Sequence, residues 1–319
     1  MPNHNDSVDN TNAQVLLNQI VVDYMREKKR KRTWQWIKRF IILLLIIWLG
    51  YLFTTMRAGD IGARATPHVG LIDVKGTIAE DQAASADNLM KGMDKAYESK
   101  SLKALILRID SPGGSPVQAD YMFNAIRYYR TKHPDVKIYA VCVDACASAA
   151  YYIAAATDEI YANPASLVGS IGVLYNGFGF VDTLQKVGVS RRLQTAGSNK
   201  GFLDPFSPLQ AHQQELLQNM LDIIHQQFIA RVKEGRGARL KVDADTFSGL
   251  YWTGEQAKER GLIDGFASSG QLMREVIKLD QVVDYTYQTN LFERMAKTMG
   301  TAMADQLPSA MGMRSGIKL

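Results

Sequence analysis

The feature that most restricts how this chain can fold is an uncharged, largely apolar run near its N-terminal end, FIILLLIIWLGYLFTTM at 40–56. As a helix, its 17 residues would reach about 25 Å, near the lower limit for crossing a bilayer core. A buried core helix would carry more polar residues, and a cleaved signal peptide would begin nearer residue 1 and end in a small-x-small site. The run therefore predicts an uncleaved transmembrane helix, with interfacial aromatic anchors at Trp34, Trp36, Trp48 and Tyr51.

The charges on either side of this run predict its orientation. The basic run REKKRKR at 26–32 precedes it, whereas only Arg57 and Arg64 follow it closely. Because positive residues are retained on the cytoplasmic side, we expect residues 1–39 in the cytoplasm and the rest outside it, in a bacterial-type inner (cytoplasmic) membrane. The formal net charge of +5 is modest and concentrated beside the apolar run. This favours membrane topology over nucleic-acid binding, so no nucleic acid is expected as a partner.

Beyond the anchor, patterns typical of strands and helices alternate along the chain, which predicts an α/β domain with a largely parallel sheet. With 46% hydrophobic and 22% charged residues, the chain can form a substantial core. The predicted strands include 68–74, 104–109, 137–143 and 159–162, and the predicted helices include 86–99, 115–130, 149–156 and 208–235. We assign 57–67 to a linker, 68–289 to the domain, and 290–319 to a C-terminal helix grading into a flexible tail.

Two segments that follow predicted strands have residue types suited to acyl-transfer chemistry. Consecutive glycines in the turn Pro112-Gly113-Gly114 let a backbone N–H approach a ligand and donate to a developing oxyanion. Ser148 is expected at the start of a helix, where its hydroxyl can project beside the N–H of Ala149. Taken singly, a Pro-Gly-Gly sequence is usually a turn, and a serine at a helix start is usually a cap.

A serine nucleophile needs a base, and no histidine accompanies Ser148 at a familiar spacing. Lys200, in GSNKG at 197–201, is the candidate because a lysine buried against apolar groups can lose its charge and accept a proton. By itself, such a lysine is almost always a solvated loop residue. The cysteines, Cys142 and Cys146, are interpreted as small buried residues rather than a disulfide. No metal or other cofactor is expected.

Together these segments resemble the SppA-like signal peptide peptidase family, serine-lysine peptidases with a ClpP/crotonase-like fold. The resemblance extends over about 68–266 and corresponds to the short form, with one catalytic domain per chain. The motifs that carry it are LRIDSPGGSP at 107–116, ACASAAYYIA at 145–154, NPASLVGSIGV at 163–173, GSNKGFLDPFSP at 197–208 and YWTGEQAKERGLIDG at 251–265. Family members often have glycines after the nucleophile, where this chain has Ala149 and Ala150. Alanine keeps the backbone N–H, so we expect little loss.

The resemblance implies a role for each candidate residue. Ser148 would be the nucleophile, Lys200 the general base, and the N–H groups of Gly114 and Ala149 the oxyanion hole. Ser170 would orient the lysine, although a simple turn serine is an equally good interpretation. The family also forms homo-oligomeric rings or domes, in which some members take the serine and lysine of one site from neighbouring subunits. The sequence leaves open whether the dyad forms within one chain or between chains.

The implied function is a membrane-anchored serine endopeptidase that digests signal peptides, or other apolar peptides, left in the membrane after export. Three alternatives remain. A peptidase for misfolded membrane proteins or lipoproteins would use the same chemistry. An inactive relative acting as a membrane scaffold would not need an intact dyad. A crotonase-type acyl-CoA enzyme would need neither Ser148 nor Lys200, and an exported domain suits a CoA ester poorly.

Overall fold

A computed structural model describes residues 22, 24–51 and 65–288 of the chain. Most of the predicted cytoplasmic segment, most of the linker and the whole of the predicted C-terminal tail, 290–319, therefore lie outside the described residues. The chain divides into two units, 1–62 and 63–319, which we describe separately.

The first unit contains one long helix, α1 (Tyr24–Tyr51), whose length and apolar composition suffice to cross a membrane. The helix begins well before the apolar run and includes the basic residues at 26–32. Its charged first half therefore continues without a break into its apolar second half. The end of the predicted membrane segment, 52–56, lies outside the described residues.

The second unit is an α/β domain, as predicted. Its strands are β1 (His68–Lys75), β2 (Leu102–Ser111), β3 (Lys137–Ala147), β4 (Glu159–Ala162), β5 (Leu167–Gly169), β6 (Tyr251–Thr253), β7 (Gly265–Phe266) and β8 (Val282–Asp284). Its helices are α2 (Ala86–Tyr97), α3 (Pro116–Lys132), α4 (Ala149–Ala155), α5 (Val181–Lys186), α6 (Ala211–Arg236), α7 (Gly254–Glu259) and α8 (Ser269–Gln271). A 3-10 turn (Gly237–Arg239) follows α6, and a π-helical segment (Leu272–Ile277) follows α8.

The strands form one eight-stranded sheet along which β6, β5, β3, β2, β1 and β8 are successive neighbours, with β4 pairing with β3 and β7. All these pairs are parallel except β5 with β6. Since parallel strands place their carboxyl ends at one edge, the segments after β2, β3 and β5 meet there. The predicted α/β class with a largely parallel sheet is confirmed.

The central strand β3 is longer than predicted because it has different partners along its length. Its first part pairs with β4 and its last part, from Ala145 to Ala147, pairs with β5. On β2 the register shifts, so that Ile109 and Ser111 oppose Cys142 and Cys146. Both cysteines are buried and free, and burial together with a hydrogen bond to Cys142 raises the pKa of the Cys146 thiol. Such thiols are inert packing groups.

The main core lies between the sheet and the helices that cover one of its faces, chiefly α2, α3, α4 and α6. A buried ion pair fixes the end of α6 against the later part of the chain. The Arg236 guanidinium, 1% exposed, lies 2.8 Å from the Asp264 carboxylate and also donates to the carbonyl of Gly261. Burial works against ionisation of Asp264, but the bonds from Arg236 hold the pKa of that carboxyl below its usual value. The pair is thus compensated rather than left as an isolated buried charge.

Candidate active site

Three predicted site segments follow neighbouring strands at the carboxyl edge of the sheet. The Gly113-Gly114 turn follows β2, Ser148 follows β3, and Ser170 follows β5. Pairing of Ser111 with Cys146 and of Ala147 with Gly169 aligns the ends of these strands. The parallel topology therefore brings together residues that are far apart in the sequence.

Ser148 occupies a strained position between β3 and α4. Its φ of 54° and ψ of −125° are uncommon for a residue with a side chain. The turn is held by hydrogen bonds at both ends, from the Ser148 N–H to the Gly169 carbonyl at 2.8 Å and from the Tyr152 N–H to the Ser148 carbonyl at 3.0 Å. The hydroxyl makes no capping bond to α4. Ser148 is therefore not a helix cap, and its hydroxyl is left for other use.

The glycine turn lies directly against this serine. A Cβ at Gly113 would lie 2.7 Å from the Ser148 Cβ and 3.1 Å from the Ala149 nitrogen, and one at Gly114 would lie 2.1 Å from the Ile78 carbonyl oxygen. The φ angles of Gly113 and Gly114, 107° and 150°, also disfavour any other residue. Glycine is thus required at 113 for the close approach to Ser148 and at 114 for the close approach to Ile78.

Two backbone N–H groups beside Ser148 are available to a ligand. Hydrogen bonds around Gly114 run from the Ile78 N–H to the Gly113 carbonyl and from the Ser115 N–H to the Ile78 carbonyl, so they bypass the Gly114 N–H. The Ala149 N–H belongs to the first turn of α4, whose N–H groups have no partner within the helix. This arrangement is suited to stabilising the oxyanion of an acyl-transfer intermediate.

Ser148, Gly114, Ala149 and Ser170 line one cavity of about 1060 Å³. The apolar residues that line it include Pro112, Pro116, Val117, Val173, Ile224 and Phe228. Ser170 also has a positive φ, 51°, and its N–H donates to the Leu250 carbonyl at 2.8 Å. The cavity can receive an extended apolar segment beside the serine.

Lys200 is not part of this cavity. It is exposed and lies on a segment that is held largely by its own contacts. Within that segment the Phe180 N–H donates to the Pro205 carbonyl at 2.7 Å, the Phe180 and Phe206 rings stack at 5.4 Å, and Arg191 pairs with Asp204 at 3.4 Å. The single chain therefore brings together the predicted nucleophile, the oxyanion donors and Ser170, but not the predicted base.

Helix α6, which the sequence predicts only as a helix with no role in the site, contributes to the cavity. Polar residues at 227, 231 and 234 line the cavity together with Asp120 of α3. Their spacing of four and three residues places them on one stripe of the helix. The sequence therefore predicts a polar stripe on this helix, but nothing in the sequence indicates that the stripe faces Ser148 rather than solvent.

The glycine turn gives a first testable prediction. Gly113→Ala should lower kcat about 10²-fold or more, because the new methyl group displaces Ser148 and covers an oxyanion donor. Gly76→Ala is a matched control, since Gly76 has a similar φ of 83° but nothing lies within 4 Å of a Cβ there. Both variants should carry backbone strain of roughly 1–3 kcal/mol, measurable as a shift in thermal unfolding. A normal kcat in folded Gly113→Ala protein would show that the close approach is not needed.

Comparisons with known proteins point to one family. The model of peptidase family S49 matches residues 130–283. The Synechocystis protein slr0021, named as a candidate protease, is 33% identical over 196 residues, which are 61% of this chain and 68% of that protein. The chloroplastic serine protease SPPA of Arabidopsis thaliana is 32% identical over 193 residues, which are 60% of this chain and 28% of that protein.

One further relative is a longer protein that resembles this chain over only part of its own length. A Brucella abortus protein named Na(+)/H(+) antiporter NhaA is 45% identical over 183 residues, or 57% of this chain. The alignment covers 25% of that protein, so the chain spans only about a quarter of its length. The similarity therefore concerns a domain, and that protein's name does not describe this chain.

Proposed function

The chain belongs to peptidase family S49, and we propose that it is a serine endopeptidase in which Ser148 is the nucleophile. The observation that carries the proposal is the strained start of α4. There the Ser148 hydroxyl makes no capping hydrogen bond to α4, and Ser148 lines the same cavity as Gly114 and Ala149. No cofactor is needed for this chemistry.

The reaction is acyl transfer. The Ser148 oxygen attacks the peptide carbonyl carbon while the general base takes the hydroxyl proton, and the carbonyl oxygen becomes an oxyanion facing the two N–H groups. When the tetrahedral intermediate collapses, the C–N bond breaks and the base returns the proton to the leaving amine. Water then attacks the carbonyl carbon of the acyl-enzyme while the base takes a proton from it. When this second tetrahedral intermediate collapses, the bond to the Ser148 oxygen breaks and the base returns the proton to that oxygen. This releases the second product and restores Ser148.

Lys200 is the proposed base, supplied by a neighbouring copy of the chain. A lysine becomes a base when burial disfavours its charged form, and the single chain leaves Lys200 exposed. The segment around it, 178–206, also exposes large apolar side chains, including Phe178 and Val187 at 75% and 65%. An apolar surface of this kind favours association, so a second copy would cover the segment and bury the lysine beside Ser148 and Ser170. In that arrangement Ser170 orients the lysine.

The proposed substrates are remnant signal peptides and similar apolar peptides. The largely apolar lining of the cavity next to Ser148 supports this assignment. So does α1, which would hold the domain at the membrane, with the N-terminus in the cytoplasm and the catalytic domain on the opposite side of the inner membrane. Misfolded membrane proteins or lipoproteins would present the same kind of segment.

Probe labelling, carbonate extraction and proteolysis of the same membranes test the activity and the topology together. A fluorophosphonate probe should modify the full chain in membranes, with the adduct mapped to Ser148. The labelled band should stay in the pellet after an alkaline carbonate wash. Protease added from the extracytoplasmic side of spheroplasts should degrade the domain. Labelling at a different serine would refute the assigned nucleophile, and release by carbonate would refute the anchor.

A further inference from the structure

Besides its apolar residues, the cavity is lined by a group of polar side chains from three different helices, which we call its polar end. They are Asp120 of α3, Tyr152 of α4, and Arg231 and Glu234 of α6. The mechanism proposed above uses none of them. They are also unexpected in a site for apolar peptides, because charged groups that lose water without new partners are costly.

These side chains form one connected network. The Tyr152 hydroxyl donates to Asp120 Oδ1 at 2.8 Å, and Arg231 Nε and Nη2 lie 3.2 and 3.1 Å from the same oxygen. Arg231 Nη1 lies 3.0 Å from Glu234, and the guanidinium covers the Phe123 ring at 4.9 Å. Burial, followed by the bond to Asp120, raises the pKa of Tyr152 to about 12. Its hydroxyl therefore remains a donor near neutral pH.

The network lines the same cavity as the nucleophile, and one of its members, Tyr152, lies one helical turn after Ser148 on α4. Tyr152 is bonded through its N–H to the carbonyl of Ser148, and Asp120 lies one turn after the first residue of α3. A helical turn rises about 5.4 Å, which is close to the reach of a long unbranched side chain. The substrate side chain next to the scissile bond can therefore reach this polar end.

The polar groups are partly accessible to solvent in the single chain. The side chains of Asp120 and Arg231 are 37% and 31% exposed, and both residues line the cavity. A long alkyl side chain would remove this water and offer no hydrogen bond in return. A side chain of similar length that ends in an amide would replace the water and keep the pair solvated.

We propose that Asp120, Tyr152 and Arg231 determine the specificity of the site for the substrate side chain next to the scissile bond. Short apolar side chains fit because they stop before the polar end. Long side chains are accepted when they end in a hydrogen-bonding group, and long alkyl side chains are penalised. This inference rests on the proposed peptidase function and defines its substrate class more closely.

The test compares two peptides that differ only at this position, one with glutamine and one with norleucine. The triple variant Asp120→Leu/Tyr152→Phe/Arg231→Met makes three of the four polar side chains apolar and leaves Glu234, which still lies 3.6 Å from Arg127. Exchanging an ion pair for packed apolar side chains is often tolerated by the fold. We expect the ratio of kcat/KM for norleucine to that for glutamine to rise about tenfold or more relative to the unmodified enzyme. The ratio is measured within each protein, so differences in the amount of active enzyme cancel.

The control is Asp73→Leu/Arg108→Met, which removes an Asp–Arg pair bonded at 2.6 Å that does not line the cavity. It should leave the ratio unchanged. An unchanged ratio in the folded, fluorophosphonate-reactive triple variant would overturn the specificity proposal alone. If the unmodified enzyme cleaved neither peptide and did not react with the probe, the peptidase function itself would be refuted.

A milder variant decides the matter if the triple variant does not fold. Arg231→Met leaves the Asp120 carboxylate without its guanidinium partner, and a glutamine amide can then donate to that carboxylate. The ratio of kcat/KM for norleucine to that for glutamine should therefore fall several-fold, whereas in the triple variant it should rise. No change of the ratio in Arg231→Met would likewise overturn the proposal.

Discussion

Ser148→Ala should abolish peptide hydrolysis, with a fall in kcat on the order of 10⁴-fold or more. The change removes the only atom proposed to attack the substrate, and it removes no hydrogen bond within the domain because the hydroxyl does not cap α4. The backbone strain at φ 54° is unchanged, since alanine and serine carry the same Cβ. The unfolding temperature should therefore stay nearly constant while activity disappears.

The measurement pairs hydrolysis of a fluorogenic apolar peptide with fluorophosphonate labelling and thermal unfolding. Ser101→Ala is a suitable control, because Ser101 precedes β2 at the opposite end of the sheet and its hydroxyl bonds only to the Ala65 carbonyl. It should keep full activity. Substantial hydrolysis by folded Ser148→Ala protein would mean that another group attacks the peptide, and the proposed function would fail.

The parts of the fold that follow from local patterns were predictable from the sequence. The apolar run at 104–109 is almost fully buried in β2, and residues 159–162 alternate between partly buried and buried in β4, which are both patterns typical of strands. Ser148 lies where β3 ends and α4 begins, as predicted. The strand β3 was predicted to end at 143, whereas it continues to Ala147. Its last residues are held by β5, a partner that is distant in sequence.

Other elements were missed for definite physical reasons. Strands β5, β6 and β8 have three residues each, too few for an alternating pattern to appear. Helix α6 begins at Ala211 rather than at Pro208. The ion pair between Arg236 and Asp264 joins residues 28 apart in sequence, and no local pattern identifies a charged residue as buried.

The candidate site shows the same division. Strand ends, glycines and the helix start are local features, so Gly114, Ser148 and Ala149 could be placed at one edge of the sheet from the sequence. The polar end of the cavity could not be predicted from the sequence, because it depends on how α6 packs against α3. The environment of Lys200 could not be predicted for a different reason, since a surface between copies leaves no local pattern in one chain.

Lys200→Ala should also abolish hydrolysis, and mixing it with Ser148→Ala should restore activity. Each variant lacks one half of the dyad, so neither is active alone. If the serine and lysine of a site come from neighbouring copies, random mixing at equal amounts gives about a quarter of the sites an intact Ser148 and an intact Lys200. Activity should therefore recover to about a quarter of that of the unmodified enzyme. Lys200→Arg should remain inactive, because a guanidinium does not give up its proton in proteins.

The mixed oligomers should be made by co-expressing the two variants with different affinity tags and purifying through both tags, so that every particle measured contains both kinds of chain. Because this removes unmixed particles, the expected recovery rises above a quarter, to about a half for a dimer and close to a quarter for large rings. Absence of activity in such doubly purified particles would place both residues of each site on one chain. The segment that carries Lys200 would then have to move until the lysine reaches Ser148. Recovery would instead explain why an exposed lysine and the exposed apolar side chains of its segment occur in a chain whose Ser148 cavity does not include that lysine. Association of two copies would then bury Lys200 and make it a base, so an isolated monomer would be inactive.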